Sequence, residues 1–255
     1  MPHRPPAALP DANFTQLADE SAGAKVRAGA MNLKADLGRG PSDMLRILAE
    51  QRQMYVQQVF EMAELFGFET RNKHRIRDEN GRDLLYAAEQ QKGFLGFLGR
   101  QAFGHWRSFE VHFFDGARQP VMRGIHPFRW FFQCLELRSR DGRLIGTIER
   151  QFSILTKTFH VHDAQGRVVL EVSSPFWRVW TFPFMRGGRE HARVAKKWSG
   201  LGAELFTDRD NFLVEYLERS LTEDERALVL AAAIYIDLMY FEAKGEGGAI
   251  NLFRN

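Results

Sequence analysis

Two segments of the chain interleave arginine with aromatic side chains: RWFFQCL at 129–135 and FWRVWTFPF at 176–184. Tryptophan sits well at the head-group level of a bilayer, and a guanidinium pairs with lipid phosphate through its planar fork. Arg129, Trp130, Phe131, Phe132, Trp177, Arg178, Trp180 and Phe182 are therefore candidate contacts of an interfacial, membrane-binding edge. The competing reading is structural. On any strand alternate side chains face a core, and alternate aromatics would simply fill it.

Covalent chemistry has little to stand on. His160 and His162, in HVH, share one face of a strand, but zinc needs at least a third protein ligand and none is marked. They read as ordinary strand histidines. REHARV is not H-E-x-x-H, and no G-x-S-x-G, P-loop or C-x-x-C occurs. GFLGFLG at 93–99 spaces its glycines by three, which suits a loop rather than a dinucleotide fingerprint. Cys134 is the single cysteine, so no internal disulfide forms. The expectation is a non-enzymatic protein that requires no cofactor.

The elements that must position these residues show in composition and periodicity. At 44% apolar and 26% charged, the 255 residues have the make-up of a globular protein. The net charge of +3 hides an asymmetry: residues 67–200 carry 23 Lys/Arg against 13 Asp/Glu, while 201–255 carry 5 against 11. A basic middle attracts anionic partners, either acidic lipid or nucleic acid, unless it is only a solvated face. ARVAKKWSG at 192–200 fits a strand better than a nuclear-import or nucleic-acid contact. MPHRPPAALP lacks an apolar leader core, so a cytoplasmic location is expected.

Residues 1–40 read as a disordered tail. An amphipathic helix is expected over 41–66, capped by Ser42 and ended by Gly67, with Leu45, Leu48, Tyr55, Val59, Met62 and Phe66 at helical spacing. From Phe68 to about Glu218 short aromatic and β-branched segments alternate with DENGR, FDGARQ, SRDGR, HDAQGR and MRGGR. Asn-Gly and Asp-Gly suit primed hairpin turns, so this region is an antiparallel all-β barrel or sandwich.

The most apolar stretch comes last. Ala227–Phe241 has one polar interruption, Asp237. Thr222 and Glu225 form a capping box, so a helix begins at Glu223 and runs to about 243. A bilayer span needs about 20 apolar residues, and a central Asp costs roughly 3 kcal/mol on insertion. Single-pass insertion through 223–243 is therefore disfavoured. A helix apolar on every side, slimmed by Ala231-Ala232-Ala233, fits the lumen of a closed β-barrel instead. Asp237 is then a buried acid, hydrogen-bonded to a strand or paired with an arginine, with a pH-sensitive lumen group as the alternative. Residues 245–255 form a second tail.

LFGFETRNKHRIRDENGRDLLYAAEQ, FRWFFQCLEL, GRLIGTIERQFSIL, ARVAKKWSGLGAELFTDRDNF and AIYIDLMYFE together resemble the phospholipid scramblase family, in the family's order, from about Leu65 to Glu242. The resemblance implies a tubby-like fold: an antiparallel barrel wrapped around a C-terminal helix, here a domain over 67–244. It also implies energy-independent, bidirectional phospholipid movement, with an anionic phospholipid membrane as partner and a peripheral place at the inner face of the plasma membrane. The family's calcium loop falls on Asp208 to Arg219. Asp208 and Asp210 match acidic positions and make Ca²⁺ a weak candidate, whereas Arg219 stands where calcium-responsive members have an acid. The cysteine-rich, acylated stretches of the family fall on the two Arg-aromatic segments, leaving Cys134 as a weak acylation site. Two other functions compete: a non-translocating lipid-binding adaptor of phosphoinositide type, and a nucleic-acid-binding regulator using the basic face.

Overall fold

The computed structural model describes residues 41–59, 70–90, 108–129, 133–153, 156–175, 177, 180–197 and 211–240. The expected tails at 1–40 and 245–255, GFLGFLG at 93–99, and residues 60–66 and 241–243 of the two expected helices lie outside them.

A short helix α1 (Pro41–Glu50) leads into twelve strands: β1 (Gln53–Gln58), β2 (Thr70–Arg77), β3 (Asp83–Gln90), β4 (Phe109–Phe114), β5 (Pro120–His126), β6 (Cys134–Ser139), β7 (Leu144–Gln151), β8 (Thr156–Asp163), β9 (Val168–Pro175), β10 (Thr181–Arg186), β11 (Arg189–Lys197) and β12 (Asn211–Tyr216). Helix α2 (Glu223–Tyr240) ends the described chain. Each strand pairs antiparallel with the next, and β12 pairs with β1 to close the barrel. Closure leaves no unpaired sheet edge. This is the barrel around a C-terminal helix that the tubby resemblance implies.

The five turn signals all lie between strands, in two geometries. Gly187 and Gly188 both have positive φ (57° and 76°), which makes the two-residue primed turn. The other four are three-residue loops with one left-handed residue, Gly81, Arg118, Gly142 or Gly166, whose N–H donates to the carbonyl three residues back. The expected primed turns at Asn-Gly and Asp-Gly are thus replaced by a tight turn plus bulge. Asp78, Asp115 and Asp163 each brace their loop by accepting backbone N–H bonds at Oδ1.

The expected helix over 41–66 is corrected: it ends at Glu50, and Gln53–Gln58 is a barrel strand. Gln51 closes α1 by donating its N–H to the Leu48 carbonyl and its side chain to the Ile47 carbonyl. Beyond it Met54 and Val56 alternate inward, Met54 opposite Val214 and Val56 opposite both Phe212 and Ile76. Two ladders, one on each side, outweigh a helical spacing that has no ladder to offer.

α2 fills the lumen. Every residue from Glu225 to Met239 is buried, on all sides of the helix. Its start is the expected capping box: Thr222 N–H donates to Glu225 Oε2 at 2.9 Å, and Glu225 N–H to Thr222 Oγ1 at 3.2 Å. Gly146 on β7 lets the helix approach the wall. A Cβ there would lie 2.2 Å from the His162 carbonyl oxygen and 2.8 Å from Leu228 Cδ1.

Candidate functional site

An up-and-down barrel sorts its connections by end. The five turns and the 217–222 segment lie at one end, where α2 begins. The connections β1–β2, β3–β4, β5–β6, β7–β8, β9–β10 and β11–β12 leave from the other, where α2 finishes at Tyr240. The two ends differ in chemistry.

The turn end is closed. Leu45 and Leu48 of α1 join the core, and Arg226 of α2 donates to the Gln51 carbonyl at 2.8 Å while stacking 4.6 Å over the Tyr216 ring. Burial lowers the Arg226 pKa and pushes the Tyr216 hydroxyl well above the ordinary phenol range. A cavity of about 560 Å³ opens here, lined by charges of both signs. Arg143 clamps Asp224 with two bonds of 2.8 and 3.1 Å, and Arg167 holds Asp163 at 2.7 Å.

The opposite end exposes large apolar side chains. Phe128 (46% exposed) follows β5, Phe152 (88%) follows β7, and Trp177 (67%) follows β9. Three successive connections thus each raise an aromatic at the same rim. Arg129 is exposed beside Phe128. Inside the rim, cations occupy positions in phase with the core face of their strands. Arg150 is opposite Phe159, Lys157 is two residues before it, and Lys196 is opposite Phe212. The Arg150 guanidinium lies 5.6 Å from the Tyr240 ring centroid, Lys157 Nζ lies 4.9 Å from Tyr240 and 5.4 Å from Phe182, and Lys196 Nζ lies 5.2 Å from Trp180. The aromatic faces hold these ammonium and guanidinium groups in place by cation–π attraction. Deeper, burial raises the Tyr235 and Tyr240 hydroxyl pKa values, so both remain O–H donors.

A buried histidine–aspartate hydrogen bond anchors α2 within this half of the lumen. His74 Nε2 on β2 lies 2.8 Å from Asp237 Oδ2, with both side chains 1% exposed. A carboxylate only accepts, so Nε2 carries the hydrogen. Asp237 is therefore bonded to a strand, through a histidine and not an arginine.

Of the expected membrane contacts, Arg129, Trp177 and the half-buried Trp180 belong to this rim. Phe182 is corrected: it is fully buried on the inner face of β10, packed with Phe159 and Tyr240. Trp130, Phe131, Phe132 and Arg178 lie outside the described residues. Acylation of Cys134 is corrected as well, because the thiol is buried and burial raises its pKa. Asp208 and Asp210 lie outside the described residues. Residues 211–216 are β12, with Phe212 in the core, and at about 3.3 Å per residue six extended residues separate its ends by about 20 Å. Arg219 follows at the turn end. His160 and His162 sit on the outer surface with ring centroids 6.2 Å apart. No group of three metal-ligating side chains occurs among the described residues.

Phe128, Phe152, Arg150, Lys157, Lys196 and Tyr240 were not singled out from the sequence. The signal for the cations was present: Ile148/Arg150, Lys157/Phe159 and Val194/Lys196 place a charge in the apolar phase of a strand.

The family model for scramblases matches residues 34–243. A phospholipid scramblase family protein of Schizosaccharomyces pombe is 24% identical over 241 residues, covering 80% of this chain and 63% of its own length. Phospholipid scramblase 1 of Mus musculus is 28% identical over 216 residues, covering 79% and 64%. Phospholipid scramblase 2 of Bos taurus is 27% identical over 218 residues, covering 79% and 73%. The chain spans a little under two thirds of the first two relatives. With a matched segment that takes in α1, all twelve strands and α2, the chain belongs to the scramblase family.

Proposed function

We propose that the protein docks on anionic phospholipid membranes through the rim that carries Phe128, Phe152 and Trp177, and there promotes phospholipid movement between leaflets without an energy source. The observation that carries this reading is the gathering of three exposed aromatics around inward-facing cations at one barrel end. Aromatic side chains gain from the head-group region, and each basic residue near an anionic surface adds about 1 kcal/mol. Docking is peripheral and fits the inner face of the plasma membrane. None of the described helices is long and apolar enough to cross a membrane. Because α2 fills the lumen, lipid has no path through the barrel. Movement would follow from disturbing the leaflet on which the rim sits.

A second reading, a lipid-binding adaptor that moves nothing, is favoured by the same filled lumen. Flotation with phosphatidylcholine vesicles, with and without phosphatidylserine, tests the docking. Wild type is expected to bind the anionic vesicles in a salt-sensitive way, and Phe152→Ser with Trp177→Ser to bind them at least tenfold more weakly. Unchanged binding by that variant would sink the rim. A dithionite-quench assay in proteoliposomes then separates the two readings: quenching beyond the outer-leaflet half, relative to empty vesicles, supports movement. Quenching that stops there, with protein bound, leaves the adaptor. Affinity for DNA in place of vesicles would support the nucleic-acid alternative.

A further inference from the structure

We infer that Ser153, on the exposed β7–β8 connection, is a phosphorylation site for an arginine-directed serine/threonine kinase, and that its modification releases the barrel from anionic membrane. The inference rests on the docking reading and adds regulation to that same rim.

Phe152 is 88% exposed, and Ser153 beside it is exposed as well. The pairing of β7 with β8 reaches its end at Gln151 and Thr158, so both residues lie beyond that ladder. The Ser153 hydroxyl is engaged locally. It lies 2.5 Å from Thr156 Oγ1 and accepts the Thr156 N–H at 3.2 Å, all at exposed positions. Such bonds exchange readily for bonds to water or to another protein.

Arg150 stands three residues before Ser153, in the run RQFS. A guanidinium at that spacing presents its planar fork to the carboxylates of an arginine-directed kinase cleft. Arg150 is half-buried at the rim, with its guanidinium 5.6 Å from the Tyr240 ring centroid. One cation–π contact is weaker to give up than a buried ion pair. The same spacing recurs at Ser42, Thr181 and Thr222, after Arg39, Arg178 and Arg219. Ser42 and Thr222 lie at the turn end, and Thr222 Oγ1 caps α2. Thr181 is a half-buried strand residue paired with Ala195. Only at Ser153 does the spacing coincide with the docking rim.

In the reaction the Ser153 hydroxyl oxygen attacks the γ-phosphorus of ATP held by the kinase. The bond from that phosphorus to the β–γ bridging oxygen breaks, the hydroxyl proton passes to the kinase aspartate, and phosphoserine and ADP leave. The phosphate brings a charge of about −1.5 to −2 near neutral pH to the tip that carries Phe152. An anionic leaflet repels it, and its hydration keeps the neighbouring aromatic out of the head-group region. Docking in turn shields Ser153 from the kinase.

The purified full chain, treated with magnesium-ATP and the isolated catalytic domain of calcium/calmodulin-dependent protein kinase II, tests the site. Tandem mass spectrometry is expected to place phosphate on Ser153, and Arg150→Gln to slow that reaction about tenfold in solution. In flotation with phosphatidylcholine–phosphatidylserine vesicles, the phosphorylated chain is expected to bind about tenfold more weakly than the untreated one. Ser153→Ala, treated alike, is expected to bind as the untreated chain does. Ser153→Asp is expected to bind several-fold more weakly, and Ser153→Asn, of the same size without the charge, as wild type. The vesicles are expected to slow modification of the wild type several-fold and to leave the rate on a peptide substrate unchanged. No phosphate at Ser153, or an equal rate with Arg150→Gln, overturns the assignment. Equal binding before and after modification overturns the release while leaving the docking rim intact. So does a loss that Ser153→Asn shares, or modification undiminished on vesicles that hold the protein. Failure of the untreated chain to bind overturns this inference and the docking reading together.

Discussion

His74→Leu removes one half of a hydrogen-bonded pair that is 1% exposed on each side. The Asp237 carboxylate is then left on α2, inside the barrel, with no imidazole. Removing one partner of a buried, hydrogen-bonded pair costs about 3–5 kcal/mol, because the other polar group is left buried and uncompensated. For a chain of this size that is a fall of roughly 10 °C in Tm. Asp237→Leu is not its mirror image. It leaves an imidazole whose Nε2–H has lost its acceptor, so the cost is nearer that of one lost hydrogen bond, about 1–2 kcal/mol. The double variant places leucine against leucine in an apolar lumen and should return to within about 1 kcal/mol of wild type. Urea unfolding of the four proteins, followed by circular dichroism, gives the cycle. Equal losses from the two single changes, or a double variant as unstable as His74→Leu, would refute the reasoning.

Gly146→Ala should cost more than about 3 kcal/mol, because the new Cβ would lie 2.2 Å from a backbone oxygen that cannot move aside; urea midpoints report it. Arg118→Gly should stabilise by up to about 1 kcal/mol, since Arg118 alone among the described non-glycine residues has positive φ, at 61°; a raised Tm is the readout. Thr222→Ala deletes one arm of the capping box and should cost about 1 kcal/mol in the same unfolding measurement. Arg226→Met removes the donor to the Gln51 carbonyl and should cost about 2 kcal/mol, with faster hydrogen exchange at the start of β1.

Much of the fold was legible because it is local. Each of the five turn signals joins two strands, and the Thr222–Glu225 box starts α2 at Glu223 as its spacing demands. A helix apolar on every face, interrupted by one acid and too short to span a bilayer, belongs inside something closed. β1 was not legible. Met54 and Val56 satisfy a strand period, while Leu48, Tyr55 and Val59 satisfy a helical one. The choice between the periods came from ladders to β12 and β2, and β12 lies some 150 residues further along the chain.

The candidate site divides the same way. Sequence alone determined that two Arg-aromatic segments exist, that Asp237 is embedded in an apolar helix, and that no familiar motif for covalent catalysis is present. Which aromatics reach solvent was decided by the register of the barrel. Phe182 faces the core while Trp177, beyond the strand end, does not. The pairing of Asp237 with His74 joins residues 163 positions apart. The convergence of Arg150 and Lys157 on Tyr240 required β7, β8 and the last turn of α2 to meet at one end. Hydrogen-bonded turns and caps are written within a few residues. The neighbours of a lumen side chain are set by closure, which no local window of the sequence contains.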